Sequence, residues 1–204
     1  HARIVADVQA AATSLGMATL ITGAFARDLH LWYGHGIEIQ RETEDVDFAF
    51  ATPDWATFRT LRERLITSGN FRPRGAVDHK LQHKEGLPID LVPFGGVEAG
   101  DRKIAWPPAG DEVMNVFGYS EALNSAVDVV LPGEVRSRVV SLPGLALLKL
   151  VCWRERHKQT PGRDARDLQQ ILYNYLHAGN EQRLWNDFIH WTQTDDFEYE
   201  LTGP

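Results

Sequence analysis

The 204-residue chain is predicted to be an α/β (α+β) protein, with a small mixed β-sheet flanked by helices and then a helical C-terminal region. Two observations predict this class. Segments with apolar residues at alternate positions are interleaved with segments of helical spacing up to residue 142, and only helical spacing follows. We therefore divide the chain into an α/β domain, residues 1–142, and a helical region, residues 143–204.

The first elements are predicted to be a helix, a strand and a second helix. Apolar residues at helical spacing over residues 2–15 predict an amphipathic helix that ends near Gly16. The segment MATLIT, residues 17–22, is typical of a short strand, and GAFARDLHLWYG, residues 23–34, is typical of a helix. Gly23 therefore lies at the turn of a strand–turn–helix unit.

The segment RETEDVDFAF, residues 41–50, has the alternation of a half-buried strand. One face of this strand is apolar: Val46, Phe48 and Phe50. The other face carries two carboxylates and one small residue: Asp45, Asp47 and Ala49. We expect the first face to pack and the second to present its carboxylates.

A helix is predicted next, with Thr52 as its N-cap, Pro53 as its first residue and an end before Gly69. Its apolar stripe is Trp55, Phe58, Leu61 and Leu65. The segment LPIDLVPF, residues 87–94, predicts a strand that carries Asp90. Because proline has no N–H for a ladder, Pro93 predicts an edge strand or an early end, before Gly95-Gly96.

Residues 100–115 contain two prolines, two glycines and several charges, and they are predicted to form a long surface loop. SEALNSAV, residues 120–127, favours a short helix, and residues 127–142 favour two strands around Pro132-Gly133. Three helical segments are predicted after that: residues 142–157, 163–177 and 181–193.

The formal net charge of −7 argues against a surface that binds nucleic acid as a whole, so any such contact must be local. The candidate basic patch, which is otherwise a solvated helix end, is Arg154, Arg156, His157, Lys158, Arg163 and Arg166. Cys152, the single cysteine, excludes an internal disulfide and predicts a reducing, cytoplasmic environment. No apolar run approaches the roughly 20 residues that cross a bilayer, so no membrane association is expected.

Alternation places the Cβ atoms of Asp45 and Asp47 about 6 to 7 Å apart on one side of a strand. A divalent cation would relieve their repulsion, and oxygen ligands favour Mg²⁺ or Mn²⁺. Asp90 on a neighbouring strand would complete a site for one or two ions, which could activate an attacking oxygen and neutralise a phosphate. The alternative is an Asp-x-Asp sequence that only marks a strand end facing water.

The segments TGAFARDL, ETEDVDFAF and PIDLVPFG resemble the polymerase-β-type nucleotidyltransferase superfamily. With GLALLKLVCWRER and RDARDL, the chain is most similar to the AbiEii/MenT-like group of bacterial nucleotidyltransferases. The resemblance implies a nucleotidyltransferase-type sheet and a metal-dependent transfer of an NMP from an NTP. It assigns metal binding and catalysis to Asp45, Asp47 and Asp90. It assigns the nucleotide site to Thr22, Gly23, Arg27, Lys149, Asp164 and Asp167.

Simpler roles exist for several of these residues. Lys149 would otherwise be a helix lysine with its amine at the surface. Asp164 and Asp167 would otherwise pair with their neighbours Arg163 or Arg166.

The resemblance suggests an RNA acceptor, such as a tRNA 3′ end, and a toxin–antitoxin partner. A protein or an aminoglycoside-type acceptor is the alternative, and Glu44, Asp78 and Glu85 could line an acidic pocket for the latter. A catalytically silent binding or antitoxin subunit is a further alternative. Ala24 favours it, because the family turn usually has Gly or Ser there.

His79 and His83 lie four residues apart and could coordinate a metal if this segment were helical, but KLQHKEG offers no further ligand at the right spacing.

Overall fold

The structure is a computed structural model that describes residues 1–39, 43–75 and 77–198. Residues 41 and 42 of the predicted acidic strand and residues 199–204 of the predicted helical region lie outside the described residues. Within the described ranges, nine strands form a seven-stranded mixed sheet and a separate two-stranded ribbon. The α/β (α+β) prediction is confirmed.

The strands are β1 Thr19–Thr22, β2 Val46–Thr52, β3 Phe71–Pro73, β4 Lys80–His83, β5 Pro88–Gly95, β6 Lys103–Ala105, β7 Val113–Asn115, β8 Val127–Leu131 and β9 Val135–Val139. The large sheet has the order β3-β4-β5-β2-β1-β9-β8. β2 is parallel to β5, and β1 is parallel to β9. The other neighbouring pairs are antiparallel.

The helices are α1 Ala2–Thr13, α2 Gly23–Asp28, α3 Trp55–Thr67, α4 Tyr119–Asn124, α5 Leu142–Arg156, α6 Arg163–Asn174 and α7 Glu181–Asn186. A π-helical segment, Leu29–Tyr33, continues α2. A second segment of this kind, Leu176–Asn180, contains a kink at Ala178 and Gly179 and leads into α7. A 3₁₀ turn follows at Trp191–Gln193. No helix among the described residues is long and apolar enough to span a membrane.

The alternation of the acidic segment decides how the sheet is covered. Val46, Phe48 and Phe50 are fully buried on the apolar face. Helix α1 lies on that side, where Asp7 approaches His83 to 3.8 Å. Helix α4 lies on the opposite side, which we call the carboxylate face because it carries Asp47 and Asp90, and there Tyr119 stacks on Phe94 at 5.8 Å.

Strand β5 is an internal strand, so the prediction of an edge strand or an early end at Pro93 is wrong. Pro93 pairs with Phe50 of β2 on one side. The N–H of Leu91, two residues earlier, points to the other side and donates to the carbonyl oxygen of His79. Pro93 therefore faces the space beyond the end of β4, where no ladder hydrogen bond is lost.

Two further local predictions need correction. Thr52 is the last residue of β2, and the N-cap of α3 is Asp54, whose side chain accepts a hydrogen bond from the Thr57 N–H. Residues 100–115 are not a loop throughout, because they contain the β6–β7 hairpin with Ile104 and Trp106 buried. The two histidines are not on a helix. His83 lies on β4, and His79 is the residue before this strand, so the helical condition for a metal site at this pair is not met.

Candidate active site

The centre of the large sheet brings two of the predicted carboxylates together. Asp47 on β2 is the register partner of Asp90 on parallel β5, so both side chains point to the carboxylate face. Neighbouring strands lie about 4.8 Å apart, which sets the spacing of the two backbones. Thr22, the last residue of β1, is the partner of Asp47 on its other side. Asp45 immediately precedes β2 and is half-buried.

Gly23 allows an unusually close approach to Asp47. A Cβ atom at Gly23 would overlap Oδ2 of Asp47 and would lie 2.6 Å from its Cγ. Gly23 also has a φ of +70°, in the left-handed region that side chains disfavour. The turn between β1 and α2 therefore rests directly on the Asp47 carboxylate, and any side chain at position 23 would displace it.

The Asp47 carboxyl has a perturbed pKa of about 7. Burial is the largest cause of this rise, and the negative charges of Asp45 and Asp90 add to it. The positive charges of Lys149 and Arg163 act in the opposite direction. This group therefore occupies a position where an additional cation would favour its ionised form.

Asp90 has one engaged oxygen and one free oxygen. Lys80, its register partner on β4, places Nζ 3.6 Å from Oδ2. The other oxygen, Oδ1, is buried and has no hydrogen-bond partner. A buried carboxylate oxygen without a partner is costly, so this atom is available to an incoming ligand.

The arrangement is not a ready-made metal site. In residues 1–39, 43–75 and 77–198, no three His, Cys, Asp or Glu side chains form a group that could hold a metal ion. The carboxylates nevertheless suit a hard divalent cation, because the free Asp90 oxygen and the raised Asp47 pKa both indicate missing positive charge.

Next to this centre, α2, α5 and α6 are joined by a chain of buried ion pairs with alternating charge. Arg27 bonds Asp28 at 2.7 Å and Asp167 at 2.6 Å. Lys149 bonds Asp167 at 2.6 Å and lies 3.5 Å from Asp164. Beyond these, Thr43 donates a hydrogen bond to Asp28, and Arg156 lies 2.7 Å from Asp164.

The ion-pair chain lowers the pKa of one of its carboxyl groups, Asp164. Burial alone would raise the pKa of Asp164, but hydrogen bonds from Arg156 and the charge of Lys149 outweigh burial and lower it. The Arg27 side chain is only 1% exposed, while that of Lys149 is 10% exposed and its charge acts on Asp47. Lys149, a predicted phosphate-binding cation, therefore acts on the carboxylate centre through its charge.

Two residues at the site were missed in the sequence. Lys80 lies beside Asp90. Alternation in KLQH could have predicted this, because it places Lys80 and Gln82 on one face of the strand and Leu81 and His83 on the other. Tyr119 packs on Phe94 near the site, and burial raises the pKa of its phenol, with a smaller effect from Cys152.

Of the predicted acidic pocket, Glu44 is exposed beside Asp45, while Asp78 and Glu85 have partners on helices. Asp78 pairs with Arg62 of α3 at 3.4 Å, and Glu85 lies 3.8 Å from Arg3 of α1. Both partners belong to helices on the apolar side of the sheet. These two carboxylates therefore pair with helix cations and not with each other or with the Asp47–Asp90 centre.

The chain matches the family model "Nucleotidyl transferase AbiEii toxin, Type IV TA system" over residues 9–202. Two solved structures have the same fold. The crystal structure of ANT(2″)-Ia in complex with adenylyl-2″-tobramycin is 15% identical and has a TM-score of 0.50, and the match covers 89% of this chain and 97% of that one. An antigenic nucleotidyltransferase-like protein from Paracoccidioides brasiliensis is 17% identical with a TM-score of 0.52, covering 93% and 89%.

A search of curated proteins finds no match. The family model nevertheless covers nearly the whole chain, and it confirms the resemblance seen in the sequence motifs. The chain belongs to the AbiEii nucleotidyltransferase family.

Proposed function

We propose that this nucleotidyltransferase transfers an NMP from an NTP to an acceptor hydroxyl at the Asp47–Asp90 centre, with Mg²⁺ or Mn²⁺. One observation carries the proposal. Asp47 rests on the Gly23 backbone and lies in register with Asp90, whose buried Oδ1 has no partner. Two carboxylates kept close, one of them with a buried oxygen that has no partner, are costly unless a ligand uses them.

Asp45, Asp47 and Asp90 would hold the metal. When bound, the ion would supply positive charge to the triphosphate and to the acceptor oxygen. Asp45 lies directly ahead of β2 and Asp90 is the register partner of Asp47, so both would offer carboxylate oxygens to the same ion as Asp47. The preference for oxygen ligands selects Mg²⁺ or Mn²⁺ over softer metals.

The chemical step exchanges one P–O bond for another. The acceptor oxygen forms a bond to the α-phosphorus, the bond from that phosphorus to the bridging oxygen breaks, and pyrophosphate leaves. Oδ1 of Asp90 is the proposed acceptor of the hydroxyl proton, because it is the unpartnered carboxylate oxygen at the centre. Lys80 holds the other oxygen and so orients the carboxylate.

We place the triphosphate on the side of Lys149 and Arg163, whose charges reach Asp47. Thr22 and Gly23 would line it at the end of β1. For Arg27, Asp164 and Asp167 we propose a positioning role, because all three are nearly fully buried in the ion-pair chain.

Isothermal titration of the four NTPs with and without Mg²⁺ tests the site. The wild type and Asp45→Ala/Asp47→Ala are compared with a matched control, Asp195→Ala/Asp196→Ala, which removes two exposed carboxylates. We expect metal-dependent binding in the wild type and the control and its loss in the site variant. Equal binding in all three proteins would exclude this site.

A catalytically silent binding or antitoxin subunit is the second candidate, and Ala24 favours it. Its side chain is only 4% exposed and cannot donate to a phosphate. Pyrophosphate release separates the two functions. Metal-dependent NTP binding without pyrophosphate release in the presence of cell RNA, protein or aminoglycosides would support the silent subunit, whereas release supports transfer. RNase or protease treatment of the labelled product then identifies an RNA or protein acceptor.

A further inference from the structure

The register of the sheet continues outward from the carboxylate centre. Asp47 pairs with Asp90, Asp90 pairs with Lys80, and the N–H of Arg74 donates to the carbonyl oxygen of Lys80. Residues that are paired across a sheet share a face. One row on the carboxylate face therefore runs from Asp47 through Asp90 to Lys80, and the backbone of Arg74, which directly follows β3, is hydrogen-bonded to the end of this row.

The next row adds a third cation. Arg72 on β3 pairs with Gln82 on β4, and its guanidinium donates to the Gln82 side chain at 2.8 Å. Gln82 lies two residues from Lys80, so it is on the same face. Arg72 and Arg74 are both exposed, and Lys80 is half-buried between them and Asp90. We call Arg72, Arg74 and Lys80 the basic ribbon.

Two acidic residues that flank β4 in the sequence have partners outside this ribbon. Asp78 pairs with Arg62 of α3, and Glu85 lies 3.8 Å from Arg3 of α1. The only ion pair that the three ribbon cations form within the described residues is that of Lys80 with Asp90. The chain as a whole has a net charge of −7, so a positive strip that ends at the proposed proton acceptor is a local feature.

We infer that the basic ribbon binds the phosphates of a single-stranded polynucleotide and directs its terminal hydroxyl to Asp90. This inference rests on the proposed function. The strip spans two strand spacings, about 10 Å, from Asp90 to the edge of the sheet, which suits the backbone of a strand end. Recognition by Arg and Lys makes such binding independent of sequence and sensitive to salt. A polycationic aminoglycoside would be repelled by the same surface.

The test compares two double variants with the same change in charge. Arg72→Gln/Arg74→Gln removes exposed ribbon cations and spares Lys80, which contacts Asp90. Arg154→Gln/Lys158→Gln removes two exposed cations at the end of α5. The probe is a fluorescently labelled single-stranded oligoribonucleotide with a free 3′ hydroxyl, and its affinity is measured by anisotropy over a range of salt concentrations.

We expect the ribbon variant to bind the probe roughly tenfold or more weakly at 0.1 M salt, and its slope of log K against log salt to be less steep by about 1.4. The α5 variant should match the wild type. An unchanged affinity in the ribbon variant, or a loss only in the α5 variant, would overturn the inference. Metal-dependent NTP binding is measured on the same proteins. If the wild type and both variants bind NTP, an unchanged oligonucleotide affinity overturns only the inference about the ribbon. If the wild type itself does not bind NTP, the proposed function has failed.

Discussion

The contact between Gly23 and Asp47 can be tested with one methyl group. Gly23→Ala adds a Cβ that overlaps Oδ2 of Asp47 and approaches its Cγ to 2.6 Å and its Cβ to 3.0 Å. Gly16 offers a matched control, because its φ of +68° is nearly the same as the +70° of Gly23 and nothing lies within 4 Å of the point that a Cβ would occupy there. The difference between the two alanine variants therefore isolates the contact from the backbone strain.

The expected magnitudes follow from these two terms. A left-handed backbone costs an alanine about 1 to 2 kcal/mol, so Gly16→Ala should lower the free energy of unfolding by that amount or less. Gly23→Ala must also displace the Asp47 side chain, and forcing a methyl group into a packed position costs about 1 to 3 kcal/mol more. Asp47→Ala removes the two closest atoms, so in that background the extra cost of Gly23→Ala should fall to well under half.

Urea denaturation of the wild type, Gly23→Ala, Asp47→Ala and the double variant gives the coupling energy from a double-mutant cycle, and Gly16→Ala is measured as the control. Metal-dependent NTP binding is measured in parallel, and we expect Gly23→Ala to lose it while Gly16→Ala retains it. Equal destabilisation by the two alanines, together with a coupling energy near zero, would refute the close contact. Retained NTP binding in Gly23→Ala would show that the Asp47 position is not needed.

Two further predictions concern stability. Asp167→Asn should lower the free energy of unfolding by about 3 to 5 kcal/mol, because it leaves buried cations of the ion-pair chain uncompensated. Asp187→Asn, in the exposed pair with Arg183, should lower it by no more than about 0.5 kcal/mol. Urea denaturation measures both, and similar values would contradict a structural role for the ion-pair chain. Burial lowers the pKa of His79, so the unfolded state binds the proton at a higher pH than the folded state does. The stability of the wild type should therefore fall as the pH drops below about 6.5. His79→Phe keeps a ring against Trp106 and should flatten this part of the pH profile. An identical pH dependence in the two proteins would exclude His79 as its source.

The parts of the fold that depend on local periodicity could be predicted from the sequence. Alternation in the acidic segment assigned Phe48 to the packed face and Asp47 to the other, and both assignments are confirmed because side chains in a strand alternate without exception unless a bulge intervenes. Local rules failed where a tertiary neighbour decides the outcome. Pro93 is tolerated inside the sheet only because β4 begins at Lys80, opposite Asp90, and no property of residues 87–94 reveals where β4 begins.

The ion-pair chain illustrates the same limit at the site. Sequence spacing offered only neighbouring arginines as partners for Asp164 and Asp167. The structure instead pairs Asp164 with Arg156 and Lys149, and it joins Asp167 to Arg27, which is 140 positions away. Helical spacing fixes which side chains share a face, but the element that meets this face depends on the packing of α2, α5 and α6.

The charges around Asp47 suggest how one small site could separate its two substrates. Lys149 and Arg163 act on Asp47 from the helical side, whereas Lys80 and the two ribbon arginines follow the sheet outward from Asp90. A triphosphate attracted to the first group and an acceptor strand attracted to the second would meet between the two carboxylates. Because like-charged substrates repel each other, cations on both sides and a metal ion between them would be needed to bring the acceptor hydroxyl to the α-phosphorus.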